Sequence, residues 1–394
     1  MVKIDLISQK TVNLARSIFG YDFVPLHRPI FEGNERQYLI DCIDSNFVSS
    51  VGVKVTEFEE KVAKFIGSKH AIATVNGTAA LHVAIELAGV KSGDEVISQA
   101  LTFIATCNAI TYAGAKPLFI DVDTDTMGMS PSALEKFLKN NTKKTADGTI
   151  NLLSGKRISA CIPMHTFGFP CRIEEIAAIC SKWNIALIED AAESLGSYVG
   201  IRHTGTFGSM GTLSFNGNKV ITTGGGGMII TDDSDLAKRA KHITTTSKVP
   251  HPYEFVHDEI GYNYRMPNLN AALGVAQMER LEEFLMIKNE LASKWSFAFD
   301  SLEVVFCRAI EGSTANHWLN AIVLGSREDR NKFLKNTNDH GVMTRPIWQL
   351  MSELKMFKDC QTDGLVNSLW LQDRVANIPS SVPNGALKKY ELKG

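Results

Sequence analysis

The chain has 394 residues, 44% of them hydrophobic and 21% charged, an ordinary globular mixture long enough for two or three domains with real cores. A formal net charge of −2 offers no basic face to nucleic acid or to an anionic membrane. No apolar run of membrane-spanning length occurs, and the opening residues MVKIDLISQK lack an apolar signal core, so a cytoplasmic protein is expected.

In chain order, Thr56-Glu57-Phe58-Glu59 has the form of a capping box. Phe58, Val62, Phe65 and Ile66 follow at helical spacing, and Gly67 ends the helix. Ala71–Val75 reads as a strand and Thr78–Ala88 as a helix stopped by Gly89. Further strands are expected at Glu95–Ser98, Lys116–Ile120, Arg157–Pro163, Ile185–Glu189, Gly211–Phe215 and Met228–Thr231. Helices fit between them, including Pro131–Lys139 capped by Ser130, and Ile173–Trp183. The polar segment 142–153 reads as a surface excursion. This alternation predicts an α/β fold with a mainly parallel sheet covered on both faces. Near residue 245 the pattern changes to a polar stretch with Pro250 and Pro252, then a long helix from Leu269 to about Phe299. A strand near Trp318–Leu324 and a helix near Arg327–Asn336 follow. The expected division is a large domain over residues 1–250, N-terminal segment included, and a smaller C-terminal α/β domain over 251–394. The seven cysteines form no CxxC pair. They read as reduced, buried thiols, and no metal site is expected.

Four strand-to-helix junctions carry candidate chemistry, because ligands of open parallel sheets sit at the carboxyl ends of strands. Asn76-Gly77-Thr78 offers a helix N-terminus that suits a phosphate, although an ordinary N-cap turn has the same sequence. Phe103 can stack on a flat ring at the mouth of the sheet, or fill a core. The strand ending Glu189-Asp190 should send at least one carboxylate into the cleft. An aspartate there can hold a cationic group such as a protonated pyridine nitrogen, or simply cap a helix. The fourth junction is the most specific: Ser214-Phe-Asn-Gly-Asn-Lys219 followed by four consecutive glycines, 224–227, and a strand. Such glycine density requires close backbone approach or positive φ. A lysine in that setting is a candidate nucleophile for a carbonyl, and Ser214 can add a hydroxyl to a phosphate. No GxxxxGK[ST] occurs, and the glycine run precedes a strand rather than a dinucleotide-binding helix.

The run SFNGNKVITTGGGGMI with IEDAAESLG upstream resembles the DegT/DnrJ/EryC1/StrS sugar aminotransferase family. VNGTAALHVA, LTFIAT, CIPMHTFGFP, GYNYRMPNLNAALG and TRPIW extend the likeness over nearly the whole chain. The resemblance implies an aspartate-aminotransferase-like fold (fold type I), pyridoxal 5′-phosphate as cofactor, and homodimers with shared active sites. It implies that Lys219 bonds the cofactor and shuttles protons, that Asp190 pairs with the pyridine nitrogen, and that Phe103 stacks on the ring. Gly77, Thr78 and Ser214 would hold the phosphate. Glu193 stands where the family often has Gln, near the ring hydroxyl, and Asn263 looks like the residue that reaches the neighbouring subunit's phosphate. Departures fall at Gly225, Phe169 and Met351, where Glu, Gln and His are common. With the FVPLHRPIFEGNE opening, these resemble a branch acting on nucleotide-linked 4-keto-6-deoxy-N-acetylhexosamines in legionaminic acid or bacillosamine synthesis.

The implied reaction moves an amino group from glutamate to such a sugar. Candidate substrate residues are His27, Arg28, Arg345 and Trp348, through diphosphate or base contacts, with surface ion pairs and core packing as the alternatives. His165, at a strand end, is the best-placed histidine, with a hydrogen-bonded structural histidine as the alternative reading. Two rivals are a PLP-dependent sugar dehydratase, whose relatives replace the lysine with His, and a non-catalytic regulatory protein on the same fold.

Overall fold

A computed structural model describes residues 2–146 and 148–387. Its centre is a sheet running β1 (His70–Thr74), β11 (Gly227–Thr231), β10 (Met210–Ser214), β7 (Ala186–Asp190), β6 (Arg157–Ile162), β2 (Glu95–Gln99), β3 (Lys116–Ile120). Every strand on this path is parallel to the others except β11, which runs antiparallel to β1 and β10. The carboxyl ends of β1, β2, β7 and β10 therefore open on one edge, as the alternation predicts.

Helices cover both faces: α3 (Val53–Ile66), α4 (Gly77–Leu87), α5 (Ile104–Tyr112), α6 (Pro131–Asn141), α7 (Ile173–Trp183) and α8 (Ser234–Thr244). Ser130 caps α6 through its hydroxyl, and α7 spans the expected residues. The strands are almost wholly buried, which is why they read as apolar runs rather than alternations.

Three expectations change. Helix α3 starts at Val53, before the expected Thr56–Glu59 box, with Gly52 as N-cap. Asn268 supplies the cap instead, accepting from Lys54 N–H at 3.1 Å. A Cβ at Gly52 would sit 2.2 Å from the Asn268 side chain. Glu59 is used elsewhere, on Ala73 N–H and Lys241. The described residues among 142–153 lie largely on the surface as expected, but they carry regular structure. β4 (Thr142–Thr145) and β5 (Gly148–Asn151) form a hairpin whose second strand pairs with β6. The long helix from Leu269 is two, α9 (Asn268–Met278) and α10 (Leu281–Asp300), broken at Glu279-Arg280.

A second core lies beyond the sheet. α1 (Val2–Phe19), to which no element had been assigned, packs Ile4, Ile7, Val12 and Ala15 with Trp295, Phe299 and Phe333, beside α11 (Arg327–Asp339). The N-terminal helix thus contributes its apolar face to C-terminal elements. α2 (Glu35–Asp44) packs on α9. Short strands complete the fold: β8 (Tyr198–Val199) with β9 (Arg202–His203) and β15 (Ser313–Thr314), and the hairpin β12 (Lys248–Val249) with β13 (Val256–His257). A four-stranded antiparallel sheet runs β14 (Val305–Phe306), β16 (Asn320–Val323), β18 (Val375–Ile378), β17 (Arg345–Pro346), with α12 (Val366–Arg374) beside α11. All seven cysteines are buried and free. Among the described residues no helix is long and apolar enough to cross a membrane.

His203 on β9 makes stability pH-dependent. Gly196 N–H donates to its Nε2 at 2.8 Å, so its Nδ1–H donates to the Thr204 carbonyl and the ring is neutral. Burial pushes its pKa down to about 4, against 6.5 for a free histidine. Between those values the unfolded chain binds a proton that the folded chain refuses. Stability from this group is therefore intact above pH 6.5 and falls as pH drops toward about 4. The gap is worth about 3 kcal/mol. Urea unfolding should show this decline in the wild type, and His203→Gln should flatten it. Equal slopes in the two proteins would remove His203 as the cause.

Candidate active site

The sheet edge gathers the candidates. After β1, Asn76 caps α4 by accepting from Ala79 N–H at 2.8 Å. The first-turn N–H groups of Gly77 and Thr78 have no acceptor one turn earlier in the helix, so the positive helix end is open to an anion. Ser214, the last residue of β10, lies alongside: a Cβ on Gly77 would be 2.9 Å from the Ser214 Cβ. Gly227 is equally constrained, since its Cβ would fall 2.4 Å from the Asn76 backbone. The glycine run thus lets β11 and the α4 N-terminus close up around one small, donor-rich cradle.

Asp190, at the end of β7, is 2% exposed. Thr106 Oγ1 donates to its Oδ2 at 2.6 Å and Ala192 N–H to its Oδ1 at 3.2 Å. Burial raises its pKa, while these two donors and the charge of Lys219 oppose the rise. Its neighbour Glu189 points the other way, as strand alternation demands. Glu189 is buried and accepts from Gly205, Phe207 and Gly208 N–H, clamping the turn before β10.

Lys219 sits in a tight turn in which its own N–H donates to Asn216 O and Phe215 N–H donates to Gly226 O. Its side chain is 13% exposed. The amine donates to Glu193 Oε1 at 3.3 Å and lies 3.9 Å over the Trp318 ring. Glu193 is buried, with its other oxygen held at 2.8 Å by Phe167 N–H. Burial pushes the Glu193 pKa up to about 7 against the pull of Lys219 and Phe167 N–H. Phe167 adopts a left-handed backbone, φ 58°, a costly conformation for a bulky residue. Its ring meets Trp348 at 4.8 Å and Trp318 at 6.3 Å between centroids. Trp348 in turn lies 6.2 Å from Phe103, which is 48% exposed at the start of α5. An aromatic wall therefore runs from Lys219 to the mouth of the cleft.

Other candidates stand apart. His165 is completely buried, and the expectation that it faces a substrate is corrected. Cys171 N–H donates to its Nδ1 at 3.3 Å, and its Nε2–H donates to Glu189 at 3.0 Å, leaving no nitrogen for a ligand. Arg345 is exposed on β17, bonded to Asn338 and the Thr344 carbonyl. Arg28 is exposed and reaches Asn384. Asn263 is exposed on the loop before α9, between Tyr262 and Tyr264, which stack at 4.8 Å. His27 is mostly buried, near Lys288. Of the departures, Gly225 has room for a side chain, whereas Phe169 and Met351 are buried. Sequence reasoning missed Trp318, Phe167 and Thr106 as site residues. Thr106 lies within the quoted LTFIAT, one turn after Phe103; nothing local marks Trp318.

A sequence model described as the DegT/DnrJ/EryC1/StrS aminotransferase family matches residues 29–384. GDP-perosamine synthase from Escherichia coli O157:H7 is 36% identical over 337 residues, covering 86% of this chain and 88% of that one. The pyridoxal phosphate-dependent aminotransferase EpsN of Bacillus subtilis (strain 168), a putative assignment by its own name, is 35% identical, covering 84% and 83%. Among solved structures, DesI in the presence of its TDP-sugar product superposes with a TM-score of 0.80 at 26% identity, covering 95% of this chain and 92% of that one. A Brucella abortus protein described by the same family name gives a TM-score of 0.80 at 25% identity, covering 88% and 90%.

Proposed function

Because this chain belongs to the DegT/DnrJ/EryC1/StrS aminotransferase family, and is thus a pyridoxal-phosphate-dependent aminotransferase, we propose that it aminates a nucleotide-linked 4-keto-6-deoxy sugar at Lys219. The observation that carries this reading is the Lys219 amine, held between a buried carboxylate and a tryptophan face at the carboxyl edge of the sheet. The residues present fit the cofactor. Ser214 and the α4 N-terminus form a cradle that a Cβ on Gly77 would crowd, Asp190 is a dry carboxylate suited to a cationic ring nitrogen, and Phe103 offers an exposed ring at the mouth.

When bound, pyridoxal phosphate supplies an aldehyde for amines and a sink for the electrons of a carbanion. The protein's share is orientation and proton handling. Lys219 must lose a proton to act as a nucleophile, and Glu193 is 3.3 Å away to take it. The Lys219 Nζ would also carry a proton off the donor and return it to the product. Asp190 would hold the cationic ring nitrogen, with Thr106 fixing the orientation of its carboxylate. Trp318, Phe167 and Trp348 keep water from the amine. Phe103 would stack, Thr78 would join Ser214 on the phosphate, and Asn263 would serve a partner's site.

Glutamate as donor and an N-acetylhexosamine as acceptor sugar follow the family likeness. The GDP and TDP sugars in the names of relatives support a nucleotide-linked acceptor. A homodimer follows the family likeness, and exposed apolar side chains at Tyr21, Phe23, Phe47, Val51 and Val53 and at Tyr253, Phe255 and Ile260 are surface that a partner would cover. Retention of lysine at 219 speaks against the dehydratase and regulator readings.

The test is optical. The holoprotein should be yellow, and glutamate should bleach the band. A panel of UDP- and GDP-linked 4-keto-6-deoxy sugars should then restore it for one member. A band indifferent to every amino donor would overturn the reading. Glu193 adds a pH prediction. Below about 7 its carboxyl is protonated and cannot accept the Lys219 proton, so the glutamate half-reaction should quicken as pH rises through about 7. Glu193→Gln should lose that rise. An unchanged profile would remove Glu193 from the proton path.

A further inference from the structure

The two groups that flank the Lys219 amine come from segments far apart in the chain, Glu193 after β7 and Trp318 just before β16. One side chain joins them. Asn316, after β15, is 2% exposed. Its Nδ2 donates to the Glu193 carbonyl at 2.8 Å and to the Leu195 carbonyl at 2.9 Å. Its Oδ1 accepts from Trp318 N–H at 2.8 Å. Both amide hydrogens and the oxygen are thus engaged, and turning the amide over would lose all three bonds.

The amide is itself held in place. Asn316 N–H donates to Ser197 Oγ at 3.0 Å, and that hydroxyl donates to the Gly168 carbonyl at 2.7 Å. A Cβ on Gly168 would fall 1.9 Å from Asn316 Oδ1, so only glycine leaves room for the amide. Residues on both sides hold left-handed backbone: Phe167 at φ 58°, Gly168 at φ 92° and His317 at φ 50°. Outside glycine such a conformation persists only where the surroundings over-determine it, and it gathers at functional sites. Phe167 is also the residue whose N–H holds the second Glu193 oxygen.

We propose that Asn316 is a positioning residue: its amide ties the Glu193–Leu195 backbone to the Trp318 backbone, and so fixes the carboxylate and the indole face about the Lys219 amine. The proposal rests on Lys219 marking the active site. Asn316 acts through Glu193 and Trp318, the two residues that contact the amine. Without it two buried carbonyls lose their donor, and the segment must shift to find another. A shift of about 1 Å in a proton acceptor is enough to cost about 10²-fold in rate.

Apoprotein labelled with ¹⁵N-tryptophan tests this without turnover. The chain has five tryptophans, and the Trp318 indole signal is the one missing in Trp318→Phe. With Asn316 present, Lys219→Met should shift that signal, because the amine lies over its ring. With Asn316→Ala the Trp318 signal should move and lose its response to Lys219→Met, while the other indole signals stay in place as a record of the fold. In the holoprotein the maximal rate of the glutamate half-reaction should fall about 10²-fold with KM for glutamate little changed. Asn316→Asp keeps the volume and the acceptor for Trp318 N–H but gives up the paired donors. It should keep the indole response and lose rate about tenfold. Should Asn316→Ala fail to fold, Asn316→Asp decides alone. An indole response to Lys219→Met that survives Asn316→Ala overturns the proposal, as does a glutamate rate within about threefold of wild type in either variant. A wild-type holoprotein with no glutamate-sensitive band would instead indict the active-site reading, and the indole response would still decide for or against Asn316.

Discussion

Lys219→Ala should lower kcat for transamination by about 10⁴-fold or more, since general acid–base catalysis alone contributes roughly 10²–10⁴ and the nucleophile is lost as well. The change should not unfold the chain. The turn is held by backbone bonds from Lys219 N–H to Asn216 O and from Phe215 and Thr223 N–H to Gly226 and Phe215 carbonyls, none of which involves the amine. Lys219→Arg separates two roles. It keeps a cation near Glu193 and over Trp318 but offers no nucleophile, so it should be as inactive as the alanine variant. Borohydride reduction of the holoprotein should fix the cofactor to the wild type and to neither variant. Transamination within tenfold of wild type in Lys219→Ala would sink the central assignment.

Asp190→Asn should reduce kcat by about 10²–10³-fold, the range for removing one preorganised electrostatic partner from a dry site. The amide keeps the volume and can still accept from Thr106, so the loss reports charge rather than shape. In the native protein burial already raises the Asp190 pKa, which a cation at the ring nitrogen would reverse. Cofactor affinity, measured by titrating the visible band, should weaken together with kcat. A variant within tenfold of wild type in both quantities would mean that Asp190 only braces Thr106 and Ala192.

Most of the sheet edge was legible because its signals are local. The Asn76 cap, the β7 run ending in carboxylates and the glycine-flanked lysine are each written within a few residues, and turn and cap chemistry needs no distant partner. The family likeness rests on those same runs. Errors came where a distant residue did the work. The start of α3 depends on Asn268, which no window around Thr56 contains. The hairpin at 142–151 looked like a polar loop because Asn151 is satisfied by Glu95 and Gln361, far along the chain. In α1 the buried Ser8 and Thr11 bond back to Ile4 and Ile7 carbonyls, which hides polar residues on an apolar face. His165 sat at the right strand end, but only packing could decide that its ring turns to Glu189.

The amino-acid order by itself determined an α/β fold, the four junctions and the lysine, since backbone propensity and apolar periodicity act over one or two turns. The tertiary structure alone decided that Asp190 rather than Glu189 takes the Thr106 hydroxyl and feels the Lys219 charge, that Trp318 from the C-terminal part lies under the Lys219 amine, and that Lys288 ties His27 to it. Those outcomes depend on which surfaces close together and which charges lose their water, and desolvation is a property of the assembled core that no stretch of sequence carries.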